Sequence, residues 1–148
     1  METLLDGKAV AAALRGELKI ESARLTDLLG RPPALATLQV GDDEASAVYA
    51  SRIAKTLGGL GIAVRSESLP AGASVAEVQD VLRRLGQSAD IDGILPLLPV
   101  PPPLTQEDVI AALDPAKDVD TFIPRMRVGS SWARRPSSRT LPPEEWRS

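Results

Sequence analysis

Apolar positions recur at near-helical spacing from Gly7 to Leu29, at Val10, Leu14, Leu18, Leu25 and Leu28–Leu29. Asp6 can cap the start of this predicted helix and Gly30 can stop it. Arg31-Pro32-Pro33 then breaks the chain. Residues 34–40, ALATLQV, carry an apolar/polar alternation and predict a strand that ends at Gly41-Asp42-Asp43. A second helix is predicted over 45–60, with Asp43 and Ser46 as capping candidates. A short strand follows over 62–66. The next helix spans 74–85, where Ser74 and Glu77 form a capping box. A mostly apolar strand over 92–98 runs into the proline-rich Pro99 to Pro103. A last helix is predicted over 105–113, with Thr105 and Asp108 at capping-box spacing. The order α-β-α-β-α-β-α predicts an α/β fold, an open parallel-type sheet flanked by helices.

After Phe122 the periodicity stops. The segment from Arg125 to Ser148 holds six arginines against two glutamates and is rich in Ser and Pro. The expectation is a folded domain over 1–127 and a disordered tail over 128–148.

Composition removes several chemistries. The 148 residues contain no histidine and no cysteine. Histidine general bases, Ser-His-Asp triads, histidine metal sites and disulfides are excluded, and no metal site is expected. The formal net charge of -3 argues against a nucleic-acid partner. No apolar run approaches the ~20 residues of a membrane span. The start, METLLDGKAV, lacks a secretory pattern. A soluble cytoplasmic protein without membrane partners is therefore expected.

In an open α/β sheet, ligands bind beyond the carboxyl ends of the strands. Three segments are predicted to lie there: 41–49, 96–103 and 117–121. Each is weak alone. VGDDEAS reads equally as a strand end and helix cap, a lone tyrosine as a packing residue, and KDVD as a surface charge cluster.

In this order and spacing they carry a resemblance. LLDGKAVAAALR, PALATLQVGDDEASAVY, GLGI, DGILPLLPVPPPL and ALDPAKDVDTFIP resemble the N-terminal catalytic domain of the bifunctional methylenetetrahydrofolate dehydrogenase/methenyltetrahydrofolate cyclohydrolase family. The resemblance covers residues 3 to 129 or so. It implies a folate-type substrate bearing a one-carbon bridge, hydride transfer to NADP or NAD, and hydrolysis of the methenyl form. It further implies that Tyr49 stacks on the folate ring, that Asp120 holds the pterin edge, and that Ser46 belongs to the substrate-binding segment.

The resemblance breaks at the catalytic pair. The family lysine stands four residues beyond the tyrosine; here that residue is Ile53. The family glutamine of V-Q-L-P-L-P is replaced by Leu97. The glycine after KDVD is Thr121. Lys55 lies six steps beyond Tyr49 and points elsewhere on a helix. Arg52 can reach the same cleft, but its guanidinium stays protonated and cannot serve as a general base. No catalytic residue is therefore assigned. The family's Rossmann-type domain is expected to be absent, because no G-x-G-x-x-G fingerprint follows; no cofactor is expected in this chain. Three readings remain open: a weak or inactive member of the enzyme family, a non-catalytic folate-binding or interaction module (as a homodimer or paired with a full-length paralogue), and a truncated gene fragment.

Overall fold

A computed structural model describes residues 7–123. Seven elements follow in order: α1 (Gly7–Leu29), β1 (Ala34–Val40), α2 (Glu44–Gly58), β2 (Ala63–Leu69), α3 (Val75–Gln87), β3 (Gly93–Pro96) and α4 (Gln106–Ile110). The type and order of all seven agree with the hydrophobic pattern. The expected cap Asp6 and the tail over 128–148 lie outside the described residues.

The three strands form one sheet in the order β2-β1-β3. Both pairings are parallel, with Ala36 opposite Arg65 on one side and Ile94 on the other. A further parallel bridge joins Ile94 to Asp118, so the chain after α4 returns alongside β3.

Boundaries differ where local chemistry overrides periodicity. β2 extends to Leu69, beyond the predicted Ser66, because the polar run Arg65–Ser68 sits at a sheet edge and continues pairing with β1. β3 ends at Pro96 rather than residue 98, where the missing proline N–H and the following prolines limit the ladder. α2 stops at Gly58 rather than residue 60, and Gly61 follows at φ +81°. α4 is shorter than the expected 105–113, although both predicted capping boxes form.

Alternation along β1 separates two layers. Ala36, Leu38 and Val40 join Val78, Leu82 and Leu85 of α3, Val109 of α4 and Ile94 of β3 in one buried core. α2 packs on β1 and β2. Leu95 and Leu97 are buried but stand outside that core cluster. Period-two alternation places them on the opposite face of the sheet from Ile94. α1 rests on the domain near its C-terminal end, where Ser22 is buried against Gly61. Its Val10, Leu14 and Leu18 remain about half exposed.

The amino end of the sheet is tied by Asp92. Its carboxylate accepts two hydrogen bonds from the Arg31 guanidinium at 2.8 and 2.9 Å and one from the Ala34 backbone N–H at 2.8 Å. The Arg31 hydrogen bonds hold the Asp92 carboxyl below its usual range despite partial desolvation.

Gly93 opens β3 where there is no room for a side chain. A Cβ there would stand 2.6 Å from Val119 Cγ1 and 3.2 Å from Leu35 Cδ1. Gly93→Ala is expected to destabilise the domain by about 1–3 kcal/mol through overpacking. Gly93→Ala combined with Val119→Ala should recover most of that loss. Urea unfolding midpoints of the two variants check the assignment.

Candidate functional site

Parallel pairing places the carboxyl ends of β1 and β3 on one edge of the sheet. At that edge Gly41 leaves β1 at φ +84°, and a Cβ there would lie 3.3 Å from Pro101 Cγ. The β1–α2 turn and the proline-rich loop thus touch, and only glycine suits both the backbone conformation and the space. The Gln39 amide braces the same turn by donating to the carbonyls of Gly41 and Asp43.

Asp43 caps α2. Its carboxylate accepts the Ser46 backbone N–H at 2.7 Å. Hydrogen bonds from Ser46, through its side chain first and its backbone second, hold the Asp43 carboxyl below the usual range. Ser46 is only 7% exposed, and its backbone N–H serves this cap.

Tyr49 stands in the second turn of α2 and is 56% exposed. Ile53, four residues on, is half-buried. Leu97 follows β3 directly, donates its N–H to the Leu38 carbonyl at 2.8 Å, and is 4% exposed. Asp120 is exposed, two residues beyond the bridge at Asp118. The fold therefore carries all four positions on segments that leave the sheet at or beyond its strands. Among the described residues no side-chain hydrogen bond links them.

The KDVD segment is organised by residues that sequence reasoning did not single out. Asp118 is 9% exposed. Its two carboxylate oxygens accept the backbone N–H groups of Asp120 at 3.2 Å and Ile123 at 2.9 Å. Lys117 donates to the carbonyls of Leu85 and Ser88, at 3.3 and 2.7 Å, and so ties the segment to the end of α3. The first two residues of the motif fix its backbone and leave Asp120 facing outward. Thr121 adopts φ 55°, the left-handed region that a β-branched residue occupies only with strain.

The concave surface lies partly elsewhere. A cleft of about 470 Å³ opens between α1 and the last turn of α2, where Arg15, Lys19 and Lys55 converge. A shallower, mostly apolar depression of about 340 Å³ lies at the amino end of the sheet, beside Leu35, Leu57 and Val119. The basic cleft was missed because its cations come from two distant helices. The only signal was Arg15 and Lys19 sharing one face of α1.

The β1–α2 turn does not fit a nucleotide pyrophosphate. Its helix N-terminus already receives the Asp43 carboxylate, and Asp42 and Glu44 flank it, so an anion would meet like charge. Among the described residues no group of three or more acidic side chains could hold a metal ion, and no helix is long and apolar enough to cross a membrane.

Two substitutions probe this arrangement. Thr121→Gly is expected to stabilise the domain by about 1 kcal/mol by relieving the left-handed strain; thermal unfolding measures it. Ile53→Lys and Leu97→Gln should each destabilise, the second by about 1–3 kcal/mol for a buried amide without a partner. The double variant should lose less than the sum, with a coupling of about 0.5 kcal/mol or more. Strict additivity in the double-mutant cycle would show that the two positions do not touch.

Comparison with known proteins gives the ancestry. The family model for the tetrahydrofolate dehydrogenase/cyclohydrolase catalytic domain matches residues 5–120. The "Bifunctional protein FolD" of Lactococcus lactis is 38% identical over 133 residues, 90% of this chain and 46% of that protein. The protein of the same name from Solibacter usitatus is 40% identical over 143 residues, 97% of this chain and 46% of that protein; a match of that length runs past Gly129. The chain spans about half the length of the curated relatives it matches. The crystal structure of the Campylobacter jejuni bifunctional FolD methylenetetrahydrofolate dehydrogenase/cyclohydrolase superimposes with a TM-score of 0.78 at 33% identity, covering 82% of this chain and 43% of that one. The Trypanosoma brucei methylenetetrahydrofolate dehydrogenase-cyclohydrolase, solved with NADP cofactor and an inhibitor, gives 0.75 at 30% identity, covering 82% and 41%. This chain belongs to the tetrahydrofolate dehydrogenase/cyclohydrolase family and carries its catalytic-domain fold.

Proposed function

We propose that this domain binds a tetrahydrofolate-type ligand at the carboxyl edge of its sheet without efficient hydrolysis of the methenyl form. Tyr49 offers an exposed aromatic face to a flat pterin ring. Asp120 offers a carboxylate that can accept hydrogen bonds from the amide and amine N–H groups on the ring's edge. Hydride exchange with NADP or NAD, as the family name implies, belongs to a larger assembly than the described residues, whose β1–α2 turn does not suit a nucleotide.

The observation that supports the reading is that Ile53 and Leu97, at the positions where the resemblance puts the family's lysine and glutamine, are both apolar and half-buried or buried. Hydrolysis of a methenyl carbon requires a group that takes a proton from the attacking water. Ile53 has no such group, and Leu97 has nothing with which to orient one. Arg52 is exposed one turn from Tyr49 and can stabilise negative charge only. Loss of a positioned acid/base lowers a rate by about 10²–10⁴-fold.

Titration with 5,10-methenyltetrahydrofolate, followed by calorimetry, is expected to give saturable binding. Tyr49→Ala should weaken it by about threefold to tenfold. The ligand's absorbance should decay at nearly the uncatalysed rate with the protein present. A decay accelerated in proportion to protein concentration would overturn the reading, and so would an absence of binding.

A further inference from the structure

The two long edges of the sheet differ. Beyond β3, the chain after α4 returns to pair: Ile94 donates its N–H to the Lys117 carbonyl at 2.7 Å and bridges to Asp118. Beyond β2, no strand follows among the described residues. The ladder with β1 fixes which backbone groups of β2 are engaged. At one end the Ala63 N–H donates to the Pro33 carbonyl, and at the other the Leu69 carbonyl accepts from Gly41. Backbone groups alternate in direction along a strand, so residues 63, 65, 67 and 69 turn their N–H and C=O toward β1. Val64, Ser66 and Ser68 turn theirs outward, which leaves three donors and three acceptors along an open edge.

The side chains of that edge are self-complementary. Arg65 and Glu67 share the face toward α3, with a 2.8 Å ion pair between them and a second from Arg84 to Glu67 at 3.4 Å. Ser66 lies on the opposite face, where its hydroxyl accepts from Thr37 at 3.3 Å. Turned through 180° about Ser66, the strand matches itself. Arg65 falls opposite Glu67, Ala63 opposite Leu69, and Val64 opposite Ser68. An edge guarded by lysines alone would repel its own copy. This one carries a cation and an anion placed symmetrically about its midpoint.

We propose that β2 is an interface strand for a second copy of this chain. Two β2 strands pair antiparallel about a twofold axis at Ser66, which makes an isologous contact and one continuous sheet. Ser66 exchanges two hydrogen bonds with its counterpart, and each Val64–Ser68 pair exchanges two more, so every outward group of both strands is satisfied. Arg65 meets the partner's Glu67, and Arg84 stays on Glu67 of its own chain. The hydrogen bonds supply affinity and the charges fix the register. Strand direction reverses across the axis, so the carboxyl edges of the two halves face opposite ways and both stay open.

A seven-residue strand makes a small contact, so self-association is expected at about 10–100 μM. Sedimentation velocity of the full chain across that range should show the mass rising from one chain to two. Ser68→Pro removes an outward N–H and no bond to β1. It should weaken the dimer by about tenfold or more and leave thermal unfolding of the dilute protein unchanged. Arg65→Glu and Glu67→Arg each set like charges opposite one another across the axis, with a loss of about the same size. Mixed in equal amounts, these two charge variants should form a heterodimer at least as tight as the wild-type pair, because every cross-strand pair is then of opposite sign. A chain that stays monomeric throughout would overturn the proposal. A dimer indifferent to Ser68→Pro would place the contact elsewhere and overturn it too. If Ser68→Pro does not fold, the mixing experiment decides: charge variants that fail to recover on mixing would exclude β2 as the interface.

Discussion

Parallel pairing of β1 on both sides is the constraint on which the rest of the structure depends. Among the described residues β1 is the only strand flanked by a strand on each side, and both run in its direction. Parallel neighbours cannot be joined by tight turns, so each connection must cross a face of the sheet. α2 makes one crossing and α3 another, which buries both faces of β1. Every strand then releases its chain toward the same edge. The β1–α2 turn and the proline-rich loop meet at that edge for that reason. Asp92 fixes the opposite edge: its carboxylate binds Arg31 and the first residue of β1 together, so β1 and β3 start in fixed register.

On the proposed reading, in which Ile53 and Leu97 stand where the family has a lysine and a glutamine, the apolar pair is physically coherent. A lysine at a half-buried position needs a partner for its charge, and a glutamine at a position 4% exposed needs one for its amide. Changing one alone leaves the other unsatisfied. Changing both removes two desolvation costs and adds apolar contact area. The fold keeps its caps, its glycine at position 93 and its anchored KDVD backbone, none of which depends on the pair.

Much of the fold was legible in the sequence because its signals are local. The boxes Ser74–Glu77 and Thr105–Asp108 each announce a helix start within four residues, and both form as read. Strand ends were less legible: β2 continues through Arg65 and Glu67 because pairing with β1 outweighs the polarity of an edge strand. In the candidate site, motif order drew attention to Tyr49, Asp120, Ile53 and Leu97, yet it gave no account of Asp118 and Lys117. Their work is done against Ile123, Leu85 and Ser88, contacts that periodicity does not encode. The basic cleft depends on how α1 lies against the end of α2, which no spacing within either helix reveals.

α2 shows how one helix separates these tasks. Ser46, Ala50, Ile53 and Leu57 are buried or half-buried and follow the spacing of an inward face. Tyr49, Arg52 and Thr56 form the outward stripe. Residue 53 lies about 40° round the helix from residue 49, between the two faces. A long flexible side chain at such a border position can reach outward, and a branched apolar one folds inward onto the sheet. The border position is therefore where a catalytic group can be exchanged for a packing group with little disturbance to either face. The exposed Tyr49 and the basic cleft beyond it would keep their geometry through that exchange, so the proposed ligand binding does not depend on an acid/base group at position 53.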